Sequence, residues 1–171
     1  VIFEVNAQEK YEDYFNNFFK DGGEYKNFVN NKDESLWPKI FKDKKNLTDL
    51  QKAKLIYDFI EANVSYSSVP FLHGPIIPQK ASRTLNTKSG DCKDVSTLFV
   101  AMCKEVGLKA NLILVDTRDN GEKHLTLPSV EFNHCIAQLT AGGKKYYIEL
   151  TDQKLSFSSV PLMDLNSNIL F

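Results

Sequence analysis

One cysteine stands where an apolar helical pattern begins. Residues 89–107 read SGDCKDVSTLFVAMCKEVG, so that Cys92 follows a glycine and lies between Asp91 and Asp94. The unpaired N–H groups and the dipole at a helix start favour a thiolate, whereas neighbouring carboxylates disfavour a second negative charge. Position alone therefore leaves two interpretations open: Cys92 is a small buried hydrophobe, or it is a nucleophile that needs a base.

Three histidines could supply that base. His73 lies in a proline-rich segment and His124 in a polar loop, and the sequence reveals no fixed partner for either. His134 stands at the start of a strand-like run, in the stretch FNHCI, where a β-ladder would hold the imidazole rigidly. A histidine at that position either accepts a proton from the thiol or only caps the edge of a sheet.

The run that begins near His134 belongs to a predicted β-hairpin. Two strand-like runs, 133–140 and 145–151, flank Gly142-Gly143, which is typical of a two-residue turn. In that register one face is apolar and consists of Cys135, Ala137, Leu139, Tyr146, Ile148 and Leu150. A shift by one residue would scatter these side chains over both faces, so the pattern supports the register.

The same register selects a carboxylate partner for His134. Glu149 lies on the face of His134 and diagonal to it, about 7–8 Å away before side-chain reach is counted. Asp152 would point to the opposite face, unless the turn has three residues or a bulge intervenes. Glu149 is therefore the predicted orienting acid, and Asp152 is the alternative.

A thiol, an imidazole and a carboxylate thus occur in the chain order Cys92, His134, Glu149. Such a set activates sulfur by moving its proton to the histidine, while the acid fixes the tautomer and stabilises the imidazolium. Backbone N–H groups at the helix start could serve as an oxyanion hole. Gln79, in the proline-rich wall before the cysteine, could add a side-chain donor, or it could be an ordinary surface residue. The set predicts cysteine-dependent acyl chemistry.

The elements that must position these residues are helices followed by strands. An aromatic stripe over residues 11–19 predicts one amphipathic helix, and Thr48 with Gln51 predicts a capping box at the start of another. The cysteine-bearing helix has a predicted Schellman stop at Gly107-Leu108, and a strand-like run at 111–117 follows. This order predicts an α+β fold in which the cysteine-bearing helix packs on an antiparallel β-sheet.

Composition excludes several classes of partner. The 171 residues are 42% hydrophobic, which suits one domain with its own core. With a net charge of -1, we expect no attraction to nucleic acid or to an anionic membrane, and no apolar run is long enough to span a bilayer. The cysteines lack metal-ligand spacing, so we predict no metal and no cofactor. Because the sequence begins at Val1 without a signal-peptide pattern, we expect a fragment of a longer precursor.

Three motifs in this order resemble the transglutaminase-like superfamily. They are Gly90-Asp-Cys-Lys-Asp94 at a helix start, Phe132-Asn-His134 on a strand, and Tyr146-Tyr-Ile-Glu-Leu-Thr-Asp152 on the next strand. The likeness covers residues 48–160, including Tyr66. It is closest to bacterial proteins in which such a core follows a β-rich N-terminal domain of unknown function.

The resemblance implies a papain-like fold, with Cys92 as the nucleophile and His134 as its histidine. The acid of the family is usually an aspartate at the position that holds Glu149 here, so this sequence departs from the pattern. By this likeness, residues 48–171 form the core, and residues 1–47 form an N-terminal helical extension or a linker from an upstream domain. Export to the bacterial periplasm is expected from the resemblance alone.

The implied activity is that of a transglutaminase-like cysteine protease or amidase. Its partners would be a protein or peptide substrate and other domains of the same longer chain. Hydrolysis is favoured because it needs only water as the second substrate, whereas crosslinking needs a site for an amine. Two alternatives remain: a protein-crosslinking transglutaminase, and a catalytically silent domain that binds protein or glycan.

Overall fold

The computed structural model describes six stretches of the chain, the last of them by its backbone only: residues 40–41, 44–68, 77–118, 132–152, 154–164 and 168–170. The predicted aromatic helix over residues 11–19, residues 69–76 of the proline-rich segment, which include His73, and the loop residue His124 lie outside these stretches. The predicted division of the chain at residues 47 and 48 stays a prediction.

Three helices precede the main sheet in the described residues: α1 (Asp49–Asn63), α2 (Ala81–Thr87) and α3 (Cys92–Glu105). The predicted capping box of α1 is confirmed, because the Gln51 N–H donates to Thr48 Oγ1 and the Thr48 N–H donates to Gln51 Oε1. Within the described ranges, no helix has both the length and the apolar character needed to cross a bilayer.

A short parallel pair of strands lies just before the cysteine. Strand β1 (Ser65–Tyr66) follows α1, and β2 (Ser89–Gly90) precedes α3; Ser65 pairs with Ser89 and Tyr66 with Gly90. The sequence does not predict this pair, because each strand has only two residues and its partner is remote in the chain. The pairing ties the end of α1 to the start of α3.

The main sheet has four described strands: β3 (Lys109–Asp116), β4 (His134–Ala141), β5 (Lys144–Ile148) and β6 (Asn168–Leu170). Their order is β5-β4-β3-β6, and every neighbouring pair is antiparallel. The predicted α+β class with an antiparallel sheet is therefore confirmed. The strand-like run predicted at 111–117 falls within β3 except for its last residue.

The β4–β5 hairpin has the predicted register. Leu139 pairs with Tyr146 and Ala137 pairs with Ile148. Gly142 and Gly143 form the turn, with φ values of 57° and 76°. Two successive positive φ angles match the right-handed twist of the strands, and glycine adopts them without steric cost.

Helices α1 and α3 cover the apolar face of this sheet. The core includes Ala53, Ile56, Ile60, Val95, Leu98, Phe99 and Met102 from the helices, and Cys135, Ala137, Leu139, Ile148 and Leu150 from the hairpin. Phe99 is fully buried, and truncating such a side chain to alanine typically costs about 3–5 kcal/mol. Since α3 is packed this tightly, its first residue has a fixed position relative to the sheet.

The chain reverses direction between α3 and β3, so the end of β3 lies near the start of α3. The Leu108 N–H donates to the Cys103 carbonyl at 2.9 Å and the Gly107 N–H to the Lys104 carbonyl at 3.1 Å, so the predicted Schellman stop is confirmed. The 14 residues of α3 span roughly 21 Å, and the eight residues of β3 return over roughly 27 Å. The start of β4, which pairs with the end of β3, therefore lies near the start of α3.

Candidate active site

The first turn of α3 is closed by a capping box built from the two aspartates that flank the cysteine. Asp91 is the N-cap residue, and its Oδ1 accepts the N–H groups of Lys93 at 3.1 Å and Asp94 at 3.2 Å. The Asp94 carboxylate in turn accepts the Asp91 N–H at 3.1 Å. These bonds fix Cys92 as the first residue of the helix, where the positive end of the dipole favours a thiolate.

The charges beside the cysteine are largely compensated. Lys93 Nζ contacts Asp91 Oδ2, and both residues are buried. Burial raises the pKa of Asp94, although the N–H groups of Gln79 and Asp91 lower it in part. The sequence sets both aspartates against a thiolate at Cys92, but the structure pairs one with a lysine and places the other in backbone hydrogen bonds. Both carboxylates are therefore bonded to donors at the start of the helix.

Gly90 allows strand β2 to pass against this turn. A Cβ atom added to Gly90 would lie 2.6 Å from the Asp94 Cβ and 3.1 Å from the Thr84 Cγ2. The first of these contacts is shorter than real Cβ atoms show, so any larger residue would push β2 away from α3. Glycine is required here for close approach rather than for an unusual φ angle.

The residue that precedes β4 aligns the strand on which His134 stands. The Thr117 N–H donates to Asn133 Oδ1 at 2.9 Å, and Asn133 Nδ2 donates to Thr117 Oγ1 at 2.7 Å. The Asn133 N–H also donates to the Val115 carbonyl at 3.2 Å. His134 then pairs directly with Val115 on β3. The backbone of the histidine is therefore held by a rigid ladder.

Glu149 is the carboxylate that His134 contacts. His134 Nε2 lies 2.7 Å from Glu149 Oε2, and Glu149 is only 2% exposed. The other oxygen, Oε1, accepts the Leu150 N–H at 2.8 Å, the Thr151 N–H at 2.7 Å and the Thr151 hydroxyl at 2.7 Å. Three of these partners donate to Oε1, and the bonds to His134 and Thr151 lower the pKa of Glu149. The carboxylate is therefore ionised, and Nε2 is the donor in its bond to Oε2.

The second ring nitrogen of His134 is then left for the cysteine. The side chain of Cys92 lies close enough to the imidazole to affect its pKa, and since Nε2 faces Glu149, Nδ1 is the nitrogen left for the thiol. Burial alone would lower the pKa of His134, but the interactions with Cys92 and Glu149 outweigh it and raise the pKa to about 10. Burial would raise the pKa of Glu149, yet the bonds from His134 and Thr151 lower it overall.

The structure thus brings Cys92, His134 and Glu149 together, while their catalytic roles stay predictions. Asp152 is exposed, and its Oδ1 accepts the Lys154 N–H at 3.0 Å. This contact leaves Glu149 as the acid bonded to His134. Tyr66 also lies near the site: burial raises its pKa first, and the charge of Cys92 adds to this rise.

Gln79 lies beside the helix start, in a cleft of about 450 Å³ that Ser67 and Arg83 also line. Its side-chain Nε2 donates to the Ser89 carbonyl at 3.0 Å, and its backbone N–H donates to Asp94 Oδ1 at 2.8 Å. Both bonds tie Gln79 to the segment that leads into α3. Its role as an oxyanion donor stays a prediction.

A third carboxylate, which the sequence does not reveal, lies in the same cluster. One carboxylate oxygen of Asp164, a nitrogen of His134 and an oxygen of Glu149 all lie within 4.8 Å of one another. In the part of the chain that the structure describes, these three side chains are spaced closely enough to hold a cation. Because His134 donates directly to Glu149, we describe them as an acid–base cluster and assign no metal centre. Asp164 sits in an irregular segment without periodicity, so no local pattern points to it.

Comparison with known proteins agrees with this architecture. The family model of the transglutaminase-like superfamily matches residues 34–150. No curated protein sequence matches the chain. Among solved structures, the chain is similar to one described as a TGase, with a TM-score of 0.57, 15% identity and coverage of 92% of this chain. It is also similar to a proposed protease from Parabacteroides distasonis, with a TM-score of 0.55, 16% identity and 82% coverage.

The chain spans 41% of the TGase and 28% of the Parabacteroides protein. At these identities the two structures show the fold alone. The family match, in contrast, covers more than half of the sequence and includes Cys92, His134 and Glu149. With its cysteine-bearing helix packed on an antiparallel sheet, the chain belongs to the transglutaminase-like superfamily.

Proposed function

We propose that this protein is a cysteine-dependent acyl-transfer enzyme that hydrolyses an amide or peptide bond. One observation carries the proposal: the imidazole of His134 is bonded through Nε2 to the buried carboxylate of Glu149 and lies close enough to Cys92 for the two side chains to interact. A base oriented by an acid in this way activates a nucleophile. Without such a base, a cysteine at the start of a helix is only a small hydrophobe.

The first half of the reaction forms an acyl-enzyme. His134 Nδ1 takes the proton from Cys92 Sγ, and the thiolate attacks the carbonyl carbon to form a C–S bond. The Cys92 N–H is the helix-start donor that the capping box does not use, so it is available to the developing oxyanion. The imidazolium then gives its proton to the leaving nitrogen, and the C–N bond breaks to leave a thioester.

The second half consumes water. His134 accepts a proton as water attacks the thioester carbon, and the C–S bond breaks to release a carboxylic acid and the free thiol. Throughout both halves Glu149 stays ionised and holds Nε2 protonated, so Nδ1 is the nitrogen that exchanges protons. In this proposal one ring nitrogen shuttles protons, and the other holds the imidazole in place through its bond to Glu149.

Hydrolysis is preferred over crosslinking because water is its only second substrate, whereas crosslinking requires a second site that binds an amine. A crosslinking transglutaminase is the second candidate, since one structurally similar protein is described as a TGase. The two reactions share the same thioester and differ only in the acceptor.

Acylation of the protein by p-nitrophenyl acetate tests the proposal without knowledge of the natural substrate. We expect a burst of p-nitrophenol equal to the enzyme concentration, an acetyl group on Cys92 by mass spectrometry, and slow return to the free enzyme. The Cys92→Ala variant should lose the burst, and Cys103→Ala should keep it. Acetylation that persists in Cys92→Ala would refute the proposal, and transfer to added cadaverine in preference to water would favour crosslinking.

A further inference from the structure

The mechanism above leaves one buried charge of the cluster without a role. Asp164 presents a carboxylate oxygen within 4.8 Å of both His134 and Glu149. Both of its carboxylate oxygens are shielded from solvent. Burying a carboxylate costs free energy unless charges or hydrogen bonds compensate it, so a shielded acid at this place requires a reason.

Asp164 lies at the end of an irregular segment, residues 154–164, and contacts to α1 fix the beginning of this segment. The hydroxyl of Tyr57 donates to the Leu155 carbonyl at 3.2 Å. The ring of Tyr57 also meets the ring of Phe157 edge to face, with centroids 5.5 Å apart. Tyr57 itself is buried in the core, so this end of the segment is attached to the rigid part of the molecule.

The other end is fixed beside the strand that pairs with His134. The Arg118 N–H, just beyond β3, donates to the Met163 carbonyl at 2.9 Å. The Asp164 N–H donates to the Pro161 carbonyl at 3.0 Å, which closes a turn at the aspartate. Both ends of the segment are therefore attached to the rest of the fold, and these attachments fix the position of the Asp164 carboxylate.

The charge balance of the cluster indicates what this carboxylate does. Two carboxylates, those of Glu149 and Asp164, lie near the imidazole of His134. The negative charge of each carboxylate favours the protonated form of this imidazole. Glu149 already uses both oxygens, so its geometry is set without Asp164. Among the described residues, the other ionisable groups that interact with Glu149 or His134 include the thiol of Cys92, the hydroxyls of Tyr57 and Tyr66, and the carboxylate of Glu61. A protonated His134, which lies within 4.8 Å of both acids, relieves the repulsion between them.

We propose that Asp164 is a positioning residue, a second carboxylate that acts with Glu149 to keep His134 protonated beside Cys92. This proposal rests on the proposed function for its consequence in catalysis, but the charge effect itself does not need a substrate. In the resting enzyme the second acid favours the imidazolium form of His134. During acyl transfer it keeps a proton available on Nδ1 for the leaving nitrogen.

The test compares three variants of the full chain. NMR titration of the His134 ring nitrogens gives its pKa directly. Asp164→Asn removes the charge with little change of shape and should lower the pKa of His134 by about 1 unit or more, because a nearby opposite charge typically contributes that much. Asp164→Glu should restore most of the shift. Asp58→Asn, an exposed acid on α1 paired with Lys54, removes the same charge elsewhere and should leave the titration unchanged.

The pH dependence of kcat/KM is a second readout, which the substitution of a purely structural residue would not shift. In Asp164→Asn, the alkaline limb of kcat/KM for a p-nitroanilide, whose leaving nitrogen needs the proton of His134, should move to lower pH by the same amount as the pKa of His134. The thermal midpoint of each variant is measured alongside, and Asp164→Ser replaces Asp164→Asn if the latter fails to fold.

A His134 pKa that is equal in wild type and Asp164→Asn would overturn the proposal, whatever the activity. A lowered pKa in a protein without acyl transfer would support the role of Asp164 and refute the proposed function instead. The two claims can therefore fail separately.

Discussion

Replacing Glu149 by glutamine removes one charge and leaves the size of this buried side chain almost unchanged. In the wild type, Oε1 accepts three donors from Leu150 and Thr151, and Oε2 accepts His134 Nε2. A glutamine can keep the three donors only if its oxygen takes the place of Oε1. Its NH₂ group then faces Nε2, which must become an acceptor.

That exchange moves the ring proton to the wrong nitrogen. With Nε2 as the acceptor, a neutral His134 carries its proton on Nδ1, where Cys92 needs a base. In a triad of this kind, a wrong tautomer lowers kcat by roughly 10²–10⁴-fold, or about 3–5 kcal/mol of transition-state stabilisation. Since a hydrogen bond to a charged group contributes about 1.5–3 kcal/mol, the free energy of unfolding should fall by a similar amount.

The assay is the pre-steady-state burst with p-nitrophenyl acetate, followed at neutral pH beside urea unfolding of the same preparation. Glu149→Gln should retain its fold and lose most of its acylation rate, while Asp152→Asn serves as the comparison for the alternative acid. A Glu149→Gln enzyme that acylates at the wild-type rate would contradict the assignment. Loss of acylation in Asp152→Asn alone would move the role to Asp152.

Three further predictions concern the surroundings of the site. The folded-state pKa of His134 lies above its unfolded value, so its contribution to stability is complete below about pH 6.5 and is lost as the pH rises toward 10; urea unfolding at pH 6 and pH 10 should show this loss in wild type and not in His134→Asn. Lys93→Ala strands the buried carboxylate of Asp91 and should lower the free energy of unfolding by about 3–5 kcal/mol. Gly90→Ala forces a contact with Asp94 and should destabilise the protein by about 1–3 kcal/mol, measured by urea unfolding, and reduce acylation because α3 shifts.

A different result would contradict each of these three predictions. A His134→Asn variant whose stability falls with pH as steeply as that of wild type would assign the loss to other groups. For Lys93, the control is Lys52→Ala, which removes an exposed partner of Asp49 and should cost under about 1 kcal/mol; equal losses would mean that the buried pair is not special. For Gly90, unchanged stability and acylation would show that β2 can move away freely.

Local chemistry made much of the site predictable. The hairpin register followed from Gly142-Gly143 and from strict alternation of apolar residues, and it placed Glu149 rather than Asp152 next to His134. The Schellman stop at Gly107 and the capping box at Thr48 also depend only on neighbours in the chain. In each case the signal and the structure it specifies lie within a few residues.

The features that the sequence did not reveal depend on distant contacts. Asp164 reaches the cluster because Tyr57 and Arg118 hold its segment, and no pattern within that segment announces it. The pairing of Lys93 with Asp91 was also missed, because lysine and aspartate side chains are mostly exposed, and here both are buried. The strength of the acid–base cluster therefore could not be judged from composition alone.

The most direct test of the central claim is the reactivity of the three cysteines with iodoacetamide near neutral pH, followed residue by residue with mass spectrometry. Burial raises the pKa of Cys103 and of Cys135 well above the ordinary range, so these thiols should react slowly. Cys92, which lies beside the imidazole of His134, should react far faster, and His134→Asn should slow it to the rate of the other two. Equal, slow alkylation of all three cysteines in the wild type would contradict the account.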